Sequence, residues 1–154
     1  MTDRELNIAL REMARSQGLC DKWYNEWKDD STIDECLERY VRGIDFTVTK
    51  DYPPLDFIRK NFSKDVLHKH LIFLDEEIDI EDAQSGIYVF LGDCSGKICF
   101  NGFSVGTIHV RHTSIIDVCS YDMAKTFVSV YEGATAQCHS FDHATHRLYD
   151  KHNK

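Results

Sequence analysis

Two prolines and eight glycines in 154 residues are too few for a collagen-like or mucin-like backbone. No apolar run approaches the ~18 residues a membrane-spanning helix needs, so no membrane is expected as partner. The six cysteines contain no C-x-x-C pair. The N-terminal stretch MTDRELNIALREMARSQG lacks the basic segment followed by an apolar one that marks a secretory signal. Both features predict a cytoplasmic chain with free thiols. Positive charge is scarce as well, with 18 Lys and Arg against 26 Asp and Glu. Without a basic stripe there is nothing to neutralise phosphates, which excludes a nucleic acid as partner. The G-x-x-x-x-G-K-[ST], G-x-G-x-x-G and H-E-x-x-H patterns are also missing, which removes the common nucleotide and metalloprotease signatures and points away from an enzyme.

What remains is an adequate core, with 42% hydrophobic and 12% aromatic residues. The net charge of −8 is unevenly placed. Residues 1–84 hold 20 acidic and 12 basic residues, whereas 85–154 hold six of each. The division coincides with a change of pattern.

The first region reads as short helices. Thr2-Asp3-Arg4-Glu5 is a capping box, and Leu6, Leu10 and Met13 recur at helical spacing from there to about Gln17, with Gly18 placed to end the helix. Cys20, Trp23, Tyr24 and Trp27 predict a second short helix. Ser31, with Asp34 three residues on, predicts the N-cap of a third, in which Ile33, Leu37, Tyr40 and Val41 face inward until Gly43. Asp51-Tyr52-Pro53-Pro54 breaks the chain, and Leu55, Ile58 and Phe62 mark a fourth helix opened by Pro54. Leu71 to Leu74 and Ile78 to Ile80 look like strands around a turn at Asp75-Glu76-Glu77.

The second region repeats every ten residues. From Ser95 the tens read SGKICFNGFS, VGTIHVRHTS, IIDVCSYDMA, KTFVSVYEGA, TAQCHSFDHA and THRLYDKHNK, without a gap. Ile98, Ile108, Val118, Val128, Cys138 and Leu148 form one apolar column. Phe100, Val110, Ser120 and Val130 point the same way two positions later, and the column between them, Cys99 to Tyr149, points outward. Aromatic, acid, any, Ala recurs at Tyr121, Tyr131 and Phe141. Each ten is a strand and a turn, and a unit so short must stack on its neighbours to bury its face. Residues 85–94 fit as an earlier rung, and a β-meander is the competing arrangement.

The expected fold is therefore α+β: a bundle of short helices followed by a small β-solenoid of ten-residue strand-turn repeats. Residues 1–70 form the acidic helical region, 71–84 the connecting strands and turn, and 85–154 the repeat region, with a polar C-terminal cap or tail. Three stretches, Gly18-Leu19-Cys20 to Trp27, Tyr40 to Phe46 with Asp51-Tyr52-Pro53, and Phe103-Ser104-Val105 to Arg111-His112, carry a resemblance. The chain resembles small uncharacterised proteins of gut bacteria and their phages in which a helical front half precedes a stacked β repeat. No activity comes with it.

Two kinds of candidate site follow. Asp29, Asp30, Asp34, Glu35 and Glu38, beside Trp23 and Trp27, make an acidic, aromatic surface suited to a basic protein partner. His139, His143 and His146 would share one face of a helix and could hold zinc, although strand and turn positions would separate them. His109 and His139 share a repeat column with Cys119 and Ser129, the ingredients of a nucleophile pair but with no cleft. The expected function is that of a non-enzymatic binding or scaffold protein, phage-associated, an inhibitor of a host factor or an assembly component. No cofactor is expected; the alternative is a zinc-binding protein or hydrolase. Exposed edge strands also invite a homo-oligomer.

Overall fold

Thr2 and Glu5 close the capping box that the sequence announces: the Glu5 amide donates to the Thr2 hydroxyl at 3.1 Å, and the Glu5 carboxylate accepts from the Thr2 amide. In this computed structural model, which describes residues 1–152, the box opens α1 (Asp3–Ser16), and Gly18 at φ +100° follows its end. Five further helices follow: α2 (Asp21–Glu26), α3 (Ile33–Arg42), α4 (Ile44–Thr49), α5 (Leu55–Asn61) and α6 (Lys64–His68). The third begins one residue later than expected. Its N-cap is Thr32, which forms a second capping box with Glu35, while Ser31 is buried and donates to the Lys28 carbonyl. Reciprocal capping satisfies two orphan N–H groups, whereas the Ser31 and Asp34 pair would satisfy one. None of the described helices is long and apolar enough to cross a membrane.

The chain divides into two compact units, Met1–Val66 and Leu67 onward. The helical unit is tied by one buried amide. Asn7 donates to the carbonyls of Lys28 and Asp29, both at 2.9 Å, and its oxygen accepts from the Trp27 indole at 2.6 Å and the Cys36 thiol at 3.1 Å. That single side chain joins α1, the end of α2 and α3. Tyr52 adds a second tie, donating from a buried hydroxyl to the Leu10 carbonyl at 2.7 Å.

The second unit is a parallel β-solenoid of about four coils. Its strands are β1 (Ile72–Leu74), β2 (Glu77–Ile80), β3 (Gly86–Leu91), β4 (Ser95–Phe100), β5 (Val105–Val110), β6 (Ile115–Ser120), β7 (Lys125–Tyr131), β8 (Thr135–Ser140) and β9 (Thr145–Lys151). Odd strands form one sheet and even strands the other, all paired in parallel. A coil therefore uses two of the ten-residue units. Val105 pairs with Lys125 and Lys125 with Thr145, a stagger of twenty. Residues 71–84 form the first coil, since β1 pairs with β3 and β2 with β4. The last ten residues contain β9, fully paired along β7, where the sequence suggested a cap or tail.

Inside, the columns stack as the repeat predicts. Tyr88, Ile108 and Val128 align along one sheet, Ile98 and Val118 along the other, all buried. Across the core near one edge, side chains trade volume. A β-carbon on Gly106 would lie 2.4 Å from the Phe100 ring, so the ring occupies that space. One coil later the same positions hold Ser120 and Thr126, hydroxyl to hydroxyl at 3.1 Å, and the next holds Ser140 and His146 at 2.5 Å.

Turns are set by left-handed residues: Gly102, Asp122 and Asp142 at φ +60°, +59° and +58° on one edge, Gly92 and His112 at +69° and +64° on the other. Aspartate tolerates this region because its short carboxylate can bond nearby backbone. The Gly102 amide donates to Asp122 at 2.9 Å and the Asp122 amide to Asp142 at 3.1 Å, a carboxylate ladder along the edge. On the opposite edge the Gly92 amide donates to the His112 imidazole at 2.9 Å.

Gly106→Ala should destabilise the chain by roughly 1–3 kcal/mol in urea unfolding, because the methyl overpacks against Phe100. Adding Phe100→Leu, which vacates that space, should recover part of the loss; equal destabilisation by the single and double variants would contradict this packing.

Candidate functional site

The acidic surface of the helical unit is partly occupied by structural work. Asp29 binds the Arg11 guanidinium at 2.5 Å, with Arg4 at 3.8 Å, and the bond to Arg11 holds its carboxyl below the usual carboxylate range. Glu35 is lowered too, chiefly by the Thr32 backbone amide in the capping box. These two acids stabilise the unit itself. Asp30, Asp34 and Glu38 lie exposed beside them.

The two tryptophans separate. Trp27 is buried, with its indole on Asn7 and the Arg39 guanidinium 5.0 Å above its ring, whereas Trp23 is partly exposed. Gly43 lies beneath Trp23, where a β-carbon would come within 3.1 Å of the ring. The second helix thus buries less of its aromatic face than its spacing predicts: Tyr24 lies under Arg11 and Arg15 and donates to Glu12 at 2.7 Å.

The three C-terminal histidines fall on a strand, a turn and the next strand. His139 is on β8, His143 in the following turn and His146 on β9 bonded to Ser140. The helix that would have gathered them does not form, and among the described residues no group of three or more His, Cys, Asp or Glu side chains converges as a metal site would require. The outward column also differs from expectation. Cys99, His109 and Ser129 are buried, and His109 stacks on the buried Tyr131 ring with its Nδ1 3.2 Å from the hydroxyl. For His109 and Ser129 the reason is sheet identity: the odd sheet buries part of its outer face as well, with Val89 and Leu91 sealed there, as parallel sheets commonly do. Alternation within a strand cannot reveal that.

Coil stacking sorts the nucleophile candidates into two sets of in-register neighbours, as the shared column predicts. Cys119 neighbours Cys99 and His139 on the even sheet, while His109 neighbours Ser129 on the odd sheet. Burial raises the Cys99 thiol and so weakens it as a nucleophile. The stretch Gly102-Phe103-Ser104-Val105-Gly106 has G-x-S-x-G spacing, the pattern of a hydrolase nucleophile elbow. A nucleophile elbow requires a strand-to-helix turn, and here Ser104 sits in a strand-to-strand turn.

The arrangement that the sequence reading missed is an edge. The turns leading from each even strand to the next odd one stack at 81–85, 101–104, 121–124 and 141–144. Backbone bonds fix them coil on coil, from Met123 to Gly102 and from His143 to Asp122, both at 3.0 Å. Phe103 is 84% exposed, and Tyr121, Met123 and Phe141 are exposed along the same edge. The Tyr121 and Phe141 rings stack with centroids 5.0 Å apart at 12°. Acids accompany them: Glu81, Asp82, Asp122 and Asp142 lie exposed in these turns. The aromatic-acid motif was visible as a ten-residue repeat, but at Tyr131 the same motif falls on the opposite edge, and its ring is buried.

Compared with known protein families, with curated proteins and with solved structures, the chain matches none. The candidate site therefore stands on its geometry.

Two measurements test these assignments. Because the folded carboxyls of Asp29 and Glu35 lie below their ordinary values, the stability they add is complete above about pH 4 and disappears as pH falls through the lowered folded values. Glu35→Gln should reduce that acid-side loss, and an unchanged pH profile would contradict the assignment. In timed alkylation of the native chain, Cys20, which is exposed, should react first, while Cys36, pushed up to about 11 by burial, and Cys94 react last.

Proposed function

We propose that this chain is a non-enzymatic binding protein whose solenoid is the rigid body and whose acidic, aromatic turn edge is the recognition surface. The observation that carries the reading is the exposed line of Phe103, Tyr121, Met123 and Phe141, held in fixed register by the coil beneath it. Large apolar side chains in a row are costly to leave in water and are enriched where proteins dock. Turns on a stacked scaffold are also preorganised, so little conformational entropy is lost on binding.

The acids of the same edge define the partner. Glu81 and Asp82 at its start, then Asp122 and Asp142 between the rings, suit a protein that offers Lys or Arg beside apolar groups. Charge within the chain agrees. The helical unit carries 14 acidic and 11 basic residues, while residues 71–84 alone carry six acids and no Lys or Arg. The acidic excess thus concentrates in the first coil of the solenoid, with Asp30, Asp34 and Glu38 of the helical unit as a secondary surface. Inhibition of a host factor and a part in assembly are the two settings that a phage-like origin supports.

The test is a quantitative comparison of proteins co-purified from producing cells with the native chain and with Phe103→Ser/Tyr121→Ser/Phe141→Ser. The edge variant should keep the native circular dichroism and lose at least tenfold in partner recovery, since buried aromatic anchors each contribute about 2 kcal/mol or more to an interface. Unchanged recovery would overturn the edge as the surface. Loss caused instead by Asp30→Lys/Glu38→Lys would move recognition to the helical unit.

A further inference from the structure

The two ends of the solenoid are finished differently. At the first coil Ile78 and Ala83 are buried, and Leu71, Phe73 and Ile80 are partly buried against the core. At the last coil Leu148, which continues the column of Tyr88, Ile108 and Val128, is 50% exposed, and β9 is exposed along nearly its whole length. β9 is a seven-residue edge strand with no proline. Such a strand is a template for pairing with another chain.

We propose that β9 pairs antiparallel with β9 of a second copy of this chain, joining two solenoids by their C-terminal ends around Leu148. This goes beyond the proposed recognition edge and uses a different surface.

The backbone sets which groups are available. The Thr145 amide donates to the Ala124 carbonyl on the β7 side at 3.1 Å. By alternation, the N–H and C=O groups of His146, Leu148 and Asp150 face the free edge. In an antiparallel pair centred on Leu148 those three residues meet one another, giving closely spaced reciprocal hydrogen bonds at every outward position.

The side chains select that register. Centred on Leu148, His146 meets Asp150, Thr145 meets Lys151, Arg147 meets the Tyr149 ring, and Leu148 meets itself. Sliding the pairing one way places Arg147 against its own counterpart; sliding it the other places Arg147 against Lys151. Like charges opposed across a ladder are destabilising, so only the central register is self-complementary over the whole strand. Existing contacts leave room for it: His146 holds Ser140, and Asp150 binds His152 through one oxygen at 2.6 Å. Because only one end exposes its core column, the association closes as a two-fold dimer and does not extend into a filament.

Sedimentation of the whole chain across the micromolar range, with circular dichroism as a check on folding, tests the proposal. The expected result is a monomer–dimer equilibrium. His146→Asp, which opposes two carboxylates at both symmetric positions, should weaken it at least tenfold. Leu148→Pro removes an amide that faces the free edge and should yield monomer without disturbing the pairing of β9 with β7. Combining His146→Asp with Asp150→His reverses the pair and should restore the dimer. A native chain that is monomeric throughout, a dimer indifferent to both single changes, a double variant that stays monomeric, or mass that grows without a plateau would each overturn the proposal.

Discussion

Each inward residue of the solenoid must fit the residues twenty positions before and after it. Parallel, in-register pairing places like positions directly above one another, so a side chain that is too large for its own coil has no lateral escape. The exchange of Phe100 and Gly106 for Ser120 and Thr126 one coil later shows how this is met: where the large ring is lost the facing glycine gains a side chain, and the two hydroxyls meet across the core. Turns obey the same constraint. Left-handed residues recur at twenty-residue spacing, at 102, 122 and 142 on one edge and at 92 and 112 on the other, and the carboxylates of Asp122 and Asp142 each bind the amide of the coil before.

Much of this was legible because stacking writes itself into sequence as a period. The strands from Ser95 onward begin where the tens begin, and the apolar column from Ile98 to Val128 is fully buried. What the period could not convey was that alternate tens belong to different sheets. Tyr121 and Tyr131 look equivalent in the repeat, yet one is exposed on an edge and the other sealed against Arg111 and His109. Ten describes the strand; twenty describes its surroundings.

In the helical unit, capping chemistry was readable at Thr2 with Glu5, whereas the spacing of Ser31 and Asp34 points one residue ahead of the actual box at Thr32 and Glu35. Adjacent hydroxyls at Ser31 and Thr32 made the second start ambiguous by one residue. The short helices α4 and α6 escaped notice because five or six residues hold too little of a 3.6-residue period to stand out. The candidate site divided similarly. Acidic composition was visible, but which acids serve as caps and ion pairs depends on partners such as Arg11, eighteen residues away from Asp29. The exposed edge was invisible for the opposite reason, since it is assembled from turns that meet only once the coil is closed.

The columns inside the solenoid also change character along its axis. Phe90, Val110 and Val130 give way to Asp150, and Phe100 to Ser120 and Ser140. Neighbour interactions therefore weaken coil by coil toward β9, and in a nearly one-dimensional stack local opening follows that gradient. Amide protons should escape in sequence from the last coil inward, so that the solenoid unzips from one end while its aromatic beginning, where Phe73, Phe90 and Tyr88 stack together, serves as the anchor from which the remaining coils are rewound.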